Sequence, residues 1–254
     1  MKASTDHDAV AALDEAARRI RSDDDGLDAW ATGYFRAHRF RFLEDIHIIS
    51  RYVESPGPVL EIGCVPPFLT ATLRTLGYAV SGVDLVPARF ASVIRELHLD
   101  IAQTNIERQA LPFDDGTFPA VIMNEVFEHL RIDPIFTLDQ VRRVLMPGGR
   151  LLLSTPNLYS YRGIVNFLIR QRSWAVAAEP FAEFLKLRTL GHMRHVREYT
   201  TVELRTFLAA AGFEIERVIH RGAPASVIER VAIRISGRLR PYQTIIARRP
   251  TSPG

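Results

Sequence analysis

Residues 58–70 read PVLEIGCVPPFLT, a short apolar run that ends in Glu61 and Gly63 and continues into an amphipathic segment. This pattern predicts a strand, a tight loop and a helix. In an open parallel sheet, ligands bind at such a loop because helix amino termini and free backbone N–H groups converge there. A second apolar run, residues 78–84 (YAVSGVD), ends in Asp84. That is about 20 residues further on, a spacing at which a carboxylate can accept both ribose hydroxyls of a nucleotide. The two strands therefore predict one nucleoside site.

Strand and helix patterns alternate along the chain on both sides of this stretch. Helices are predicted over 68–76, 87–97 and 136–145, and strands over 100–103, 120–123, 150–154, 213–220 and 242–247. Such alternation is typical of a parallel sheet in an α/β fold. A capping box formed by Thr200 and Glu203 predicts that a further helix begins there and ends before Gly212.

Five segments carry a resemblance when they are taken in order: 61–64 (EIGC), 82–84 (GVD), 111–118 (LPFDDGTF), 124–130 (NEVFEHL) and 144–151 (VLMPGGRL). Together they resemble class I S-adenosylmethionine-dependent methyltransferases of the small-molecule type, and the likeness runs from residue 38 to the end of the chain. The resemblance implies a Rossmann-like seven-stranded sheet, parallel with an antiparallel last strand, with helices on both faces. It also implies S-adenosyl-L-methionine as the cofactor.

The loop after the first strand departs from the family pattern, because Val65 and Pro67 stand where the second and third glycines are usual. Proline has no N–H to offer, and valine restricts the backbone. In one outcome Pro67 opens the following helix at its first position, where a missing N–H is harmless. In the other the pocket is impaired and the chain is a catalytically silent relative. The first outcome is favoured because Glu61, Gly63 and the later motifs remain.

The resemblance carries cofactor contacts onto nine positions: Glu61, Gly63, Cys64, Asp84, Leu85, Asn105, Ile106, Asn124 and Glu125. Glu61 and Gly63 are expected to position the methionine part of the cofactor, and Asp84 the ribose. Asn105 would accept from the adenine amine while Ile106 covers the ring. A polar loop role for Asn105 is equally open. Cys64, the single cysteine, is expected to be a small residue packed under the loop rather than a reactive thiol.

Two histidines are candidate general bases. Glu125 and His129 are four residues apart, which on a helix would place them on one face, and an unperturbed histidine titrates near working pH. A purely structural role for this pair is equally open. His192 lies in residues 191–199 (GHMRHVREY), where similar methyltransferases line the acceptor side. His192 and His195 have no third ligand by spacing, so no metal site is predicted.

Four regions are predicted along the chain: a helical cap (1–55), a core that binds the cofactor (56–157), an acceptor-side helical insertion (158–199) and the rest of the sheet (200–254). Tyr34 and His38 in the cap are candidates to close over the cofactor. The insertion mixes apolar residues with arginines, which favours packing over the sheet or, as a second interpretation, interfacial contact with a lipid-linked acceptor.

Composition narrows the classes of function. The chain has 254 residues, a net charge of +3 and one cysteine, so no intramolecular disulfide can form. It shows neither a signal peptide nor an apolar run that could cross a membrane, and a cytoplasmic location is expected. The arginines are scattered, and residues 124–127 (NEVF) replace the Asn-Pro-Pro-aromatic signature of nucleic-acid methyltransferases. A nucleic-acid partner is therefore not expected.

The predicted activity is transfer of the methyl group of S-adenosylmethionine to an oxygen of a small molecule. Resemblance alone, through residues 154–157 (STPN) and the His-x-Arg loop, suggests a sugar or glycan hydroxyl. A silent binding or scaffold protein is the main alternative, and a nucleic-acid methyltransferase is the weaker one. Nothing in the sequence indicates an oligomeric state.

Overall fold

A seven-stranded sheet organises the computed structural model, which describes residues 6–24, 26–176, 179–190 and 194–251. The strand order is β3-β2-β1-β4-β5-β7-β6. The strands are β1 (Pro58–Ile62), β2 (Ala79–Asp84), β3 (Asp100–Gln103), β4 (Phe118–Asn124), β5 (Leu145–Pro156), β6 (Glu214–Arg221) and β7 (Tyr242–Arg248). Neighbours from β3 to β5 are parallel, whereas β7 is antiparallel to both β5 and β6. The predicted sheet, including its antiparallel last strand, is confirmed.

The described residues form nine α-helices: α1 (Asp6–Arg19), α2 (Leu27–Tyr52), α3 (Phe68–Thr75), α4 (Ala91–Glu96), α5 (Pro134–Val144), α6 (Tyr161–Arg170), α7 (Pro180–Leu190), α8 (Thr201–Ala210) and α9 (Val227–Ile235). Three single 3-10 turns cover Pro87–Phe90, Phe127–His129 and Gly237–Leu239. Within the described ranges, no helix has both the length and the apolar character needed to cross a membrane.

The central strands are apolar on both faces because helices cover both faces. Alternate residues of β4 point to opposite sides: Ile122 joins a core with α1, α2 and α3, and Val121 joins a core with α5 and α8. Leu13 and Ile46 of the amino-terminal helices belong to the first of these cores. The amino-terminal helices therefore share their core with the sheet.

Several boundaries differ from those predicted. The segment predicted as one helix over 87–97 is a 3-10 turn followed by α4. Strand β5 begins at Leu145 rather than at residue 150, because Leu145 pairs with Phe118 before a register shift. The capping box at Thr200 is present as predicted, with the Thr200 hydroxyl and the Glu203 carboxylate each accepting the other residue's backbone N–H.

Candidate active site

The loop between β1 and α3 is shaped by a close contact at Gly63. Gly63 has a φ of +74°, and a Cβ atom there would lie 2.3 Å from Cγ2 of Val126. Only glycine combines that conformation with that approach. Cys64 lies below the loop, where its sulfur would be 2.7 Å from a Cβ atom on Gly82 of β2. Burial raises the pKa of the Cys64 thiol well above its usual range, so Cys64 packs against the sheet and is not poised to react.

Asp84 ties this loop to the end of β2. Its Oδ2 accepts the N–H of Val65 at 3.1 Å, and its Oδ1 accepts the N–H of Val86 at 3.0 Å. Burial raises the pKa of the carboxyl, and these backbone hydrogen bonds oppose that rise. The backbone N–H of Val65 is therefore already engaged in a hydrogen bond to the Asp84 carboxylate.

The proline-rich bend between β1 and α3 borders a crevice at the carboxyl ends of β1, β2 and β4. Helix α3 begins at Phe68, with Pro67 as the residue before it, one position earlier than predicted for Pro67. Phe68 is buried and its ring contacts Phe35 and Phe42. Val65 lines the crevice, whereas Pro67 and Phe68 do not. Of the two departures from the glycine pattern, Val65 therefore faces the crevice and Pro67 does not.

A cavity of about 330 Å³ lies at the carboxyl ends of β1, β2 and β4. It brings together six of the nine predicted cofactor residues: Gly63, Asp84, Leu85, Asn105, Ile106 and Glu125. The Asn105 side chain already accepts the N–H of Glu107 at 3.2 Å, which is the polar loop role that the sequence also allows.

Glu61, Cys64 and Asn124 are not on the cavity wall. Glu61 is buried behind the loop, where Thr70 Oγ1 donates to its Oε2 at 2.6 Å. Burial raises the pKa of Glu61 to about 8. Cys64 is turned towards Gly82, and Asn124 is the last residue of β4, half-buried beside Ser154 of β5.

The chain after β4 does not form the predicted helix, so the i, i+4 placement of Glu125 and His129 is wrong. Glu125 has a φ of +56°, a left-handed conformation that does not start a helix, and only a single 3-10 turn follows. Glu125 instead pairs with Arg41 of α2, with Oε2 and Nη1 3.1 Å apart and both side chains 9% exposed. Arg41 also donates to the Tyr34 hydroxyl at 2.5 Å.

Arg41 was not identified from the sequence. Its only signal is a basic residue within the aromatic stripe of α2. The His38 ring packs against Tyr34 at a tilt of 53°, with the ring centroids 4.6 Å apart. Burial together with the Arg41 charge lowers the pKa of His38 to about 4. The predicted cap residues Tyr34 and His38 do not line the cavity; they pack beside Arg41, whose partner Glu125 does.

His129 lines both the first cavity and a larger one of about 890 Å³. Much of the wall of the larger cavity is apolar and is formed by Leu27, Trp30, Val65, Pro66, Leu85, Val86 and Phe90. Its polar members include Asp24, Arg89, Glu183, Lys186 and Arg194. Both volumes are in the range of small-molecule sites. His192, the other predicted base, lies outside the described residues.

Comparison with known proteins agrees with this geometry. Residues 35–218 match a protein family described as a methyltransferase domain. A ubiquinone biosynthesis O-methyltransferase from Xanthomonas axonopodis pv. citri is 30% identical over 180 residues, which cover 68% of this chain and 70% of that protein. The chain belongs to the S-adenosylmethionine-dependent methyltransferases.

One further relative and two solved structures are also similar to the methyltransferase. The ubiquinone biosynthesis O-methyltransferase of Xylella fastidiosa strain M23 is 30% identical over 68% of this chain and 67% of its own. Among solved structures, a methyltransferase from Methanosarcina mazei superposes with a TM-score of 0.57 at 20% identity, covering 81% of this chain and 98% of that one. A [4+2]-cyclase superposes with a TM-score of 0.53 at 17% identity, covering 97% and 94%. Membership makes the protein an enzyme whose cofactor is S-adenosylmethionine.

A further group of side chains in the methyltransferase lies behind His129, which alone of the group lines the two cavities. Glu128, His129 and His195 each offer a ligand atom within 4.8 Å of the others. The His129 and His195 rings are 4.6 Å apart, nearly perpendicular. The segment that carries His195 is held because the N–H groups of Val196 and Arg197 donate to the Glu128 carbonyl. The sequence spacing that paired His195 with His192 could not reveal this arrangement.

The Gly63 contact gives a first testable prediction. We expect Gly63→Ala to lower the free energy of unfolding by about 1 to 3 kcal/mol, since the added methyl would be driven into Val126 and the left-handed conformation would be strained. Chemical denaturation measures the loss. Gly33→Ala is the matched control, because nothing lies within 4 Å of a Cβ there and alanine favours the interior of α2. Equal stability of Gly63→Ala and wild type would contradict the close contact between Gly63 and Val126.

Proposed function

We propose that the enzyme transfers the methyl group of S-adenosylmethionine to a hydroxyl oxygen of a small, largely apolar acceptor. The observation that carries the proposal is the position of His129, in the wall shared by a nucleoside-sized cavity and a larger cavity whose wall is partly apolar and partly polar. A methyl group held at that junction would face an acceptor bound in the second cavity.

The proposal places the cofactor in the smaller cavity. Asp84 is available to the ribose hydroxyls through lone pairs that its two backbone donors do not use. The exposed Leu85 and the half-buried Ile106 would flank the adenine, with Asn105 at its edge. Glu125, already held by Arg41, would face the methionine end and its ammonium group.

Methyl transfer requires little of the protein beyond aligning the acceptor oxygen with the methyl group and removing a proton. Bound S-adenosylmethionine would supply an electrophilic methyl group: the acceptor oxygen would form the new bond to carbon, and the electrons of the broken carbon–sulfur bond would remain on sulfur, leaving S-adenosylhomocysteine. The acceptor hydroxyl gives up its proton. His129 is the histidine at the junction and is assigned that proton as general base.

The wall of the larger cavity indicates which chemical class of acceptor could bind there. Trp30, Phe90 and Pro66 offer apolar surface, which suits an aromatic or prenylated alcohol. The relatives named for ubiquinone biosynthesis agree with this class. The second candidate is a sugar or glycan hydroxyl, which the polar side formed by Asp24, Glu183 and Arg194 would suit.

The helical insertion supports an acceptor delivered from a lipid phase. Helix α6 exposes 65% of Phe167, 71% of Leu168 and 75% of Ile169, and α7 exposes Phe181 and Phe184. Exposed apolar residues beside arginines are typical of helices that lie at a membrane interface. Interfacial contact with a lipid-linked acceptor is therefore included in the proposal.

The proposed function is tested by incubating the enzyme with S-adenosylmethionine and, separately, a prenylated catechol and an alkyl glycoside. We expect a methyl ether of the catechol by mass spectrometry, with a rate that falls at least about 100-fold in His129→Gln and is unchanged in His98→Gln, whose histidine is exposed. Transfer to the glycoside alone would favour the sugar acceptor.

The fold alone does not guarantee methyl transfer, because a [4+2]-cyclase shares it. The catalytically silent alternative is therefore tested directly. Calorimetry separates the two functions: heat on adding S-adenosylmethionine without any methylated product would favour a binding protein. A nucleic-acid acceptor is disfavoured. RNA or DNA binding that weakens steeply with salt concentration would support it instead.

A further inference from the structure

We propose that Arg221, at the end of β6, is a positioning residue: it fixes the Glu125 carboxylate against the methionine end of the cofactor. The inference rests on the proposed function in one respect, namely that Glu125 faces the ammonium group of the cofactor. Arg221 is on the wall of neither the smaller nor the larger cavity, so it acts through other residues. Two buried paths connect it to Glu125.

The Glu125 carboxylate has one oxygen engaged by the protein and one that is not. Its Oε2 lies 3.1 Å from Nη1 of Arg41. Its Oε1 is buried and accepts no hydrogen bond from the part of the chain that the structure describes. A buried carboxylate oxygen normally has a donor, and Glu125 lines the smaller cavity. An ammonium group in that cavity would supply the donor and form a charge-assisted hydrogen bond.

The first path consists of four largely buried charges of alternating sign. Arg41 and Asp45 are four residues apart on α2, which places them on one face of the helix, and their charges attract. Oδ1 of Asp45 lies 2.6 Å from Nη2 of Arg221, and both side chains are 3% exposed. Without Arg221, Asp45 would be buried without its closest counter-charge and would compete with Glu125 for the Arg41 guanidinium.

The second path reaches the backbone of Glu125. Nε of Arg221 donates to Oγ1 of Thr244 on β7 at 2.8 Å, and the hydroxyls of Thr244 and Ser154 are hydrogen-bonded at 2.7 Å. The carbonyl of Ser154, on β5, accepts the N–H of Glu125 at 2.8 Å. Thr244 and Ser154 are buried, and buried polar side chains with satisfied hydrogen bonds are held rigidly. One arginine is therefore linked to both the carboxylate and the backbone of Glu125.

The end of β6 also holds the cap helix α2 in place. Nη1 of Arg221 donates to the carbonyl of Arg41 at 3.4 Å. One residue further on, the N–H of Gly222 donates to Oε1 of Glu44 at 3.1 Å. The position of Arg41 over the end of β4 thus depends on contacts with β6, and a change at Arg221 should be felt at Glu125.

The test compares two ligands that share the nucleoside and the sulfur. S-adenosylhomocysteine carries the ammonium group, whereas 5′-methylthioadenosine has no amino acid part. By calorimetry on the full chain without acceptor, Arg221→Met should weaken S-adenosylhomocysteine binding about 10-fold and 5′-methylthioadenosine binding less than about 2-fold. Arg217→Met is the matched control, an exposed arginine of the same strand, and should bind both ligands as the wild type does.

Arg221→Lys is the conservative variant. Lysine keeps the charge but lacks the guanidinium fork that reaches Asp45 and Thr244 together, so its loss should be smaller than that of Arg221→Met and equally selective. If Arg221→Met does not fold, Arg221→Lys decides by the same comparison. Equal weakening of both ligands in a folded variant, or no weakening of either, would overturn the proposal, because a purely structural role does not distinguish the two ligands.

Glu125→Gln tests the placement of the cofactor separately, and it should show the same selective loss. If Glu125→Gln is selective and the Arg221 variants are not, the positioning role fails and the proposed function stands. If neither is selective, the proposed placement of the methionine end fails as well. If all binding results are as expected but the wild type methylates no hydroxyl, the proposed function fails alone.

Discussion

Replacing Arg41 by methionine is expected to lower the free energy of unfolding by about 3 to 5 kcal/mol and to abolish measurable cofactor binding. Arg41 is the cation that compensates Glu125 where β4 ends. Without it the Glu125 carboxylate is buried without a counter-charge, and its Oε1 already has no hydrogen-bond partner. Because Glu125 lines the smaller cavity, its displacement should also deform the cofactor site.

Methionine keeps an apolar side chain of similar length but removes the guanidinium, which lies 5.6 Å from the ring centroids of Tyr34 and Phe42. The loss therefore includes these cation–π contacts as well as the ion pair. Arg36→Met is the matched control, an exposed arginine on the same helix, and should change stability by less than about 0.5 kcal/mol. The double variant Arg41→Met with Glu125→Gln should recover part of the loss, because both partners are then neutral. A loss below about 1 kcal/mol for Arg41→Met, the size of an exposed pair, would contradict the assignment of a buried ion pair.

Glu61→Gln is expected to become more stable than the wild type as the pH rises. Burial raises the pKa of Glu61 from 4.5 to about 8 in the folded protein. Folding therefore favours the protonated acid: the resulting stability is fully present below pH 4.5 and is lost as the pH rises through about 8. Glutamine stays neutral and can still accept from Thr70.

The expected gap between Glu61→Gln and the wild type is small at pH 5 and a few kcal/mol at pH 9, because each tenfold change in the proton affinity of a group on folding corresponds to about 1.4 kcal/mol. For a domain of this size, each kcal/mol changes the melting temperature by about 2 to 4 °C. Comparing each variant with the wild type at the same pH removes the contribution of other titrating groups. Glu54→Gln, an exposed glutamate, should show no gap at either pH. A constant gap for Glu61→Gln across this range would contradict the burial of its charge.

The sheet could be predicted because the evidence for it is local in the sequence. Strands β1 and β4 are apolar runs, Gly63 follows β1 directly and Asp84 ends β2, so Gly63 and Asp84 were expected to meet at one sheet edge. The same reasoning failed after β4. The spacing of Glu125 and His129 suits a helix, but the left-handed backbone at Glu125 breaks the periodicity before a helix can begin.

Contacts between distant segments could not be predicted. Arg41 meets Glu125 because α2 crosses the end of β4, and His195 meets Glu128 because the segment after α7 returns to the same edge. Neither approach leaves a spacing signal in the sequence. The effect of Val65 and Pro67 was also open, because it depends on which side of the loop each side chain takes: Val65 lines the crevice, and Phe68, next to Pro67, enters the core.

A crystal structure of the enzyme with S-adenosylhomocysteine would test the proposed cofactor site most directly. We predict that the ribose hydroxyls bind Asp84, that the adenine lies between Leu85 and Ile106, and that the sulfur is directed towards His129 and the larger cavity. A nucleoside bound elsewhere, with the crevice filled by the Val65 side chain, would contradict this assignment.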